Sequence, residues 1–136
     1  MSDFLFDTMV VSVGFNPARH PEVAHWLAGD DIVGWLSVVT LGQIRRGIVA
    51  AKQPALAQRL EPWFAGLLID QAGQFLPVSA EIATCWGELT ARLGRSDLDL
   101  LIAATALVHD LTLVTRNVRH FANTGVRLHN PWPAQP

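Results

Sequence analysis

The carboxylate of Asp7 follows the short apolar run Phe4-Leu5-Phe6, within the pentapeptide Leu5-Phe6-Asp7-Thr8-Met9. An acid at the mouth of a strand is expensive to bury and easy to avoid. It either caps the turn that follows, accepting hydrogen bonds from free backbone N–H groups, or it holds a metal ion through its oxygens. The metal role needs further oxygen donors at the same place. Two segments are positioned to supply them: Thr40 to Gln43, and Thr115 to Asn117. Each has a simpler reading beside it. Thr40 and Gln43 fit a capping box, with the Gln reaching back to the cap. Asn117 fits the cap of a short helical turn.

These residues depend on an alternation of strands and helices. Phe4 to Phe6 is expected to be a strand, and His20 to Ala28 a helix with Pro21 in its first turn. Ile32 to Val39 is rich in Val, Ile and Trp and reads as a buried strand. Helices are expected over Thr40 to Ala51 and Pro54 to Ala72, the second bent or divided at Pro62. Gln74 to Val78 reads as a strand and Ser79 to Leu93 as a helix. Asp97 to His109 is a strongly apolar helix. Leu111 to Thr115 and Val126 to Leu128 close the series as strands. Helices between strands imply a three-layer α/β domain with a mostly parallel sheet of about four or five short strands, covered on both faces. In such sheets sites form at the carboxyl ends of the strands, where Asp7, Thr40 to Gln43 and Thr115 to Asn117 all fall. With no repeat, low-complexity tract or linker, residues 1–136 are expected to form one domain.

Composition narrows the function classes. Half of the 136 residues are hydrophobic and the formal net charge is −2, which argues against disorder. The basic residues are one Lys and nine Arg, and Arg is the better planar ligand for phosphate. The single cysteine, Cys85, rules out an internal disulfide and fits a reducing compartment. No apolar run reaches about 18 residues, so no membrane association is expected. No basic segment followed by an apolar core opens the chain, so a cytoplasmic location is expected.

Four segments in this order resemble a known family: Leu5-Phe6-Asp7-Thr8, Ser37 to Gly47, Asp99-Leu100-Leu101-Ile102-Ala103-Ala104-Thr105-Ala106, and Leu113 to Phe121, followed by Asn130-Pro131-Trp132. Together they look like a PIN-domain protein of the VapC toxin type, over nearly the whole chain. The resemblance implies a ribonuclease dependent on Mg²⁺ or Mn²⁺, usually a homodimer. It also implies a small antitoxin that blocks the nuclease, and an operator DNA bound through that antitoxin. It implies Asp7 and Asp99 as metal ligands, and Asp7, Gln43, Asp99 and Asn117 as the catalytic set. Asp97 and His120 lie close to that set in sequence. The chain departs from the pattern at three places. Met9 stands where Asn is usual, Gln43 stands where Glu is usual, and the stretch before Asp99 is short.

Those departures bear on the chemistry. Phosphodiester hydrolysis by a hard cation needs a few carboxylates, with waters completing the shell. Gln43 and Asn117 offer neutral amide oxygens and no charge, so the expected site binds metal weakly and cuts RNA poorly. A catalytically silent PIN-fold subunit that binds its antitoxin and supports operator binding is the alternative. A flavodoxin-like or response-regulator domain shares the alternation, but the chain has no phosphate-binding glycine loop. Ser96 and Asp99 also match a loose capping pattern. Arg45, Arg46, Arg116 and Arg119 lie beside the expected site positions and could contact RNA phosphates. Apolar residues around Trp63, Phe64, Leu67 and Leu68 are expected to form a dimer surface and a groove for an amphipathic antitoxin helix.

Overall fold

A computed structural model describes residues 2–134 of the protein. Five strands form one sheet: β1 (Ser2–Phe6), β2 (Ile32–Ser37), β3 (Phe75–Leu76), β4 (Thr112–Val114) and β5 (Leu128–His129). Six α-helices connect them: α1 (Thr8–Ser12), α2 (Pro21–Leu27), α3 (Val38–Val49), α4 (Pro54–Asp70), α5 (Ala80–Leu93) and α6 (Asp99–Val108). Short 3₁₀ turns lie between α1 and α2, and another, Val118–Phe121, follows β4. The strand order is β3-β2-β1-β4-β5, and all four pairings are parallel. The α/β architecture with helices on both faces is as the alternation required. Parallel neighbours need long crossovers, and these helices provide them.

Strand periodicity sorts the core. Leu5 and Leu113 are fully buried on one face, against Ile82 and Leu89 of α5 and Ile102 of α6. Phe4, Phe6 and Val114 point to the other face, toward Val10, Val13, Val23 and Trp26. Leu36 packs there with Ile44 and Ile48 of α3 and with Trp63 and Phe64 of α4. Helix α6 is buried nearly all round, with Leu100 and Ile102 through Ala106 inaccessible. Gly94, in the left-handed region at φ 68°, ends α5, and its N–H donates to the Thr90 carbonyl. No helix among the described residues is long and apolar enough to cross a membrane.

Several boundaries differ from the sequence reading for local reasons. Val38 and Val39 open α3 instead of closing β2. The fully buried Ser37 hydroxyl accepts from the Val39 N–H at 3.1 Å and caps the helix early. The capping box of Thr40 and Gln43 therefore does not form, and Thr40 lies buried inside the first turn. Leu98 takes the cap position of α6 without a side-chain bond, so Ser96 does not cap it, and the helix starts at Asp99. Asn117 precedes its 3₁₀ turn without a side-chain cap bond. Helix α4 runs undivided through Pro62. The carbonyl that loses its helical partner belongs to Gln58, an exposed residue, so the break falls on the solvent side of the helix. Strand β3 is only Phe75–Leu76, and the last strand is Leu128–His129, not Val126 to Leu128. Helix α1 had no counterpart in the periodicity, being five residues long.

The sheet is tightest at Gly34, which pairs with Phe4 in β1. A Cβ there would stand 2.1 Å from Cε2 of Phe6. The Phe6 ring is itself held edge-on to Trp26, with centroids 6.3 Å apart. Gly34→Ala must displace a ring shared by two core clusters, and overpacking of this kind costs about 1–3 kcal/mol. Urea denaturation is expected to show that loss, and a variant as stable as the parent would mean that the ring moves freely.

Candidate metal and nucleic-acid site

The order of the strands reverses at β1, since β2 lies on one side of it and β4 on the other. The carboxyl ends of β1 and β4 therefore bound the crevice where open α/β sheets bind ligands. Asp7 is the first residue after β1. Its N–H donates to the Val114 carbonyl at 3.0 Å, which ties it to the end of β4. Its Oδ2 accepts from the Thr115 hydroxyl at 2.7 Å, and its Oδ1 accepts from the Thr8 N–H at 2.8 Å. Asp7 thus caps α1 and faces the crevice at once.

Gln43 comes to the same wall from α3. Its Oε1 accepts from the Thr8 hydroxyl, whose oxygen also lies 3.5 Å from that of buried Thr40. Asp99, at the first turn of α6, and Asn117, after β4, complete the lining of a concavity of about 550 Å³. The four residues Asp7, Gln43, Asp99 and Asn117 therefore line one concavity, together with Arg46 and Arg116. A second cavity, of about 470 Å³, lies between α1, β2 and α4 and is walled by Phe6, Val10, Val11 and Trp63, with no acid in its lining.

His120 and Asp97 belong with Asp99. Nε2 of His120 lies 3.1 Å from Oδ2 of Asp99 and 3.4 Å from Oδ1 of Asp97. Arg95 joins them, with Nη1 3.3 Å from Oδ2 of Asp97 and 2.8 Å from the ring nitrogens of His120. Asp97, Asp99 and His120 offer three ligand atoms within 4.8 Å of one another, a donor set able to take a metal ion. The role of Thr8 as the link between Asp7 and Gln43, and of Thr115 as the donor to Asp7, was not legible beforehand. Both follow a strand end by one or two residues, which is the only signal the sequence carries for them.

Burial is the largest influence on Asp7 and pushes its carboxyl above the usual range. The hydrogen bonds from Thr115 and Thr8 oppose this, the Asp99 carboxylate adds to it, and His120 works against it. Two acids facing one concavity, one of them reluctant to ionise, leave room for a positive charge.

An acid-lined crevice at the switch point of a parallel sheet of this order defines the class. Residues 4–126 match the PIN domain family, and the chain belongs to it. Within the family it falls with the VapC-type toxins. It is 31% identical to toxin FitB of Neisseria gonorrhoeae, over 94% of this chain and 97% of the relative. It is 28% identical to a VapC ribonuclease of Sinorhizobium fredii, over 94% and 96%. The solved structure of FitAB bound to a DNA fragment matches with a TM-score of 0.79 at 26% identity, covering 98% of each chain.

The raised pKa of Asp7 has a consequence for stability. A group whose folded-state pKa lies above its ordinary value, here 3.8, contributes stability that is full below that value and is lost as pH rises through the folded-state pKa. Wherever it is ionised, Asp7 therefore weakens the fold, and its protonation at lower pH relieves that cost. Asp7→Asn keeps the shape, accepts from Thr8 and donates to Thr115. In the presence of EDTA this variant is expected to melt above the parent, by about 4 °C for each kcal/mol of burial cost removed. The gap should narrow as pH is lowered. Calorimetry checks this, and a variant melting below the parent at every pH would show that the two hydrogen bonds outweigh burial.

Proposed function

We propose that this chain acts, as one PIN domain over its whole length, as a metal-dependent endoribonuclease toxin of a type II toxin–antitoxin pair, and that Gln43 weakens its cleavage. The observation that carries this reading is the convergence of Asp7 and Asp99 on one concavity, with Gln43 bound to Thr8 on the same wall. The donors are all hard oxygens apart from His120, which suits Mg²⁺ or Mn²⁺ better than a soft metal. Asp7 and Asp99 would hold the ion, with Asn117 and Gln43 as neutral donors. When bound, the ion supplies an activated water and neutralises charge on the phosphate.

The chain's own groups do the rest. Thr115 and Thr8 fix both oxygens of Asp7, so its carboxylate meets a cation without reorganising. His120 holds one oxygen of Asp99. The amide oxygen of Gln43 already accepts from Thr8, which leaves it one lone pair and no charge. A unit charge about 4 Å from an ion is worth about 4 kcal/mol at an effective dielectric of about 20. One third of that is about tenfold in affinity.

The names of the relatives support the partners as well as the reaction. The likeness to FitAB on DNA favours an antitoxin partner and operator DNA bound through it. A homodimer is part of the same reading. Trp63, Phe64 and Leu67 are half-buried against the chain's own α3 and β2, so they do not form the exposed patch expected of them. Leu68 and Ile69 of α4 and Val49 of α3 remain exposed, at 40%, 76% and 71%, and they are the surface to offer a second copy. A silent subunit that holds its antitoxin without cutting RNA is the second reading, and the engaged, uncharged Gln43 favours it.

Gln43→Glu is expected to tighten Mg²⁺ binding about tenfold or more by calorimetric titration. The same variant should cleave single-stranded RNA faster than the parent at subsaturating Mg²⁺, and Asp99→Asn added to it should abolish that gain. Equal rates for parent and Gln43→Glu would show that the charge at this position is irrelevant. No cleavage by either, with Mg²⁺ bound, would leave the silent subunit as the function.

A further inference from the structure

The sequence places four arginines beside the site, and the structure separates them. Arg45 is taken up by Glu61, with Nη1 2.7 Å from Oε2, and lies over the Phe64 ring. Arg119 lines a different hollow, with Arg95 and His120. Arg46 and Arg116 line the acid-floored concavity itself. Among the described residues neither of these two is in an ion pair.

Arg116 is placed from both ends. Its backbone runs between Thr115, whose N–H donates to the His129 carbonyl at 3.0 Å, and Asn117, whose N–H donates to the Thr115 hydroxyl at 3.0 Å. Its guanidinium carbon stands 5.6 Å from the ring centroid of Trp132, within reach of a cation–π contact. Trp132 is only 8% exposed and packs with Val10, Val13, Val23 and Val114. Its indole N–H donates to Nδ1 of His20 at 3.3 Å, and its backbone N–H donates to Oδ1 of Asn130 at 3.0 Å. The tail thus presents a fixed aromatic face, and the otherwise mobile guanidinium is laid on it. Fixing a planar, always-charged fork removes part of the entropy that phosphate binding would cost.

We propose that Arg116, braced on Trp132, and Arg46, from α3, form a phosphate-binding subsite that seats a single-stranded RNA backbone over Asp7 and Asp99. The identity of the strand rests on the ribonuclease reading above. Two acids alone would repel the strand, and the two arginines offset that charge at the same concavity. Trp132 is the positioning residue and acts through Arg116.

The test is binding of a fluorescein-labelled single-stranded RNA to the full chain in EDTA, by anisotropy across a salt series. Arg116→Ala and Arg46→Ala are each expected to weaken binding about tenfold and to lower the salt slope by about 0.7, the value for one lost phosphate contact on a single strand. Arg45→Ala and Arg119→Ala should change affinity by less than about twofold. Trp132→Phe should bind like the parent. Trp132→Leu should keep the salt slope, lose part of the affinity that Arg116→Ala loses, and add nothing to Arg116→Ala in the double variant. Arg116→Lys does not depend on the packing of the tail; it should restore the slope but only part of the affinity. Unchanged affinity and slope for Arg116→Ala and Arg46→Ala would overturn the proposal. If those losses appear while Gln43→Glu cuts no RNA, the subsite stands and the ribonuclease reading fails. If Gln43→Glu cuts RNA and its rate is indifferent to Arg116 and Arg46, the subsite fails alone.

Discussion

The hydrogen bond from the Thr115 hydroxyl to the Asp7 carboxylate, together with the Asp7 N–H on the Val114 carbonyl, joins the ends of β1 and β4. Everything at the site depends on that join. It fixes where β1 stops, orients the one carboxylate that burial disfavours, and sets the direction in which Arg116 and Asn117 leave the sheet. The join exists because β1 is central and pairs on both sides in register, Leu5 with Trp35 and with Leu113. A close-packed core makes that register rigid, since a slip of one residue would carry Phe4 and Phe6 to the face that now holds Leu5.

The same join is costly in the absence of a cation. Burial and the neighbouring Asp99 both oppose ionisation of Asp7, and only hydrogen bonds and His120 favour it. A fold selected for stability alone would place a neutral residue there. On the metal-dependent reading proposed above, the arrangement is preorganisation toward positive charge as well as a cap for the five-residue α1. That Asp7 also caps α1 does not compete with this. One carboxylate oxygen serves the helix and the other the strand junction, and both hold the group still.

What the sequence reveals about this molecule divides along physical lines. The alternation of apolar runs was enough for the layer order and the parallel sheet, because burial on two faces requires it. Asp7 and Asn117 lie just past strand ends and Asp99 opens α6, places that parallel topology brings to one edge; Gln43, in the second turn of α3, joined them only through the family resemblance, and all four line one concavity. What was not legible came from contacts between distant residues. The Ser37 cap overrode the β-branched Val38 and Val39, whose composition alone favours a strand. The closeness of His120 to Asp97 and Asp99, twenty or so residues away, depends on how the 3₁₀ turn after β4 folds back on the start of α6. Nothing in the spacing shows that Arg45 would be spent on Glu61 while its neighbour Arg46 is left at the concavity.

Gln43 is the point at which shape and charge part company. Its bond to the Thr8 hydroxyl keeps α3 docked against the start of α1, and a glutamate would accept the same hydrogen bond. The position is thus one where the local structure does not distinguish the two residues. The electrostatics distinguish them strongly, because a third acid beside Asp7 and Asp99 would raise the cost of the metal-free site while deepening the well for a divalent ion. With Gln the concavity carries two acids and two arginines, near balance, and a polyanion can approach it without a cation already in place. With Glu it would carry three acids against two arginines, a net negative charge that favours a cation over a phosphate. Side chains that leave the fold indifferent thus set the charge of the concavity.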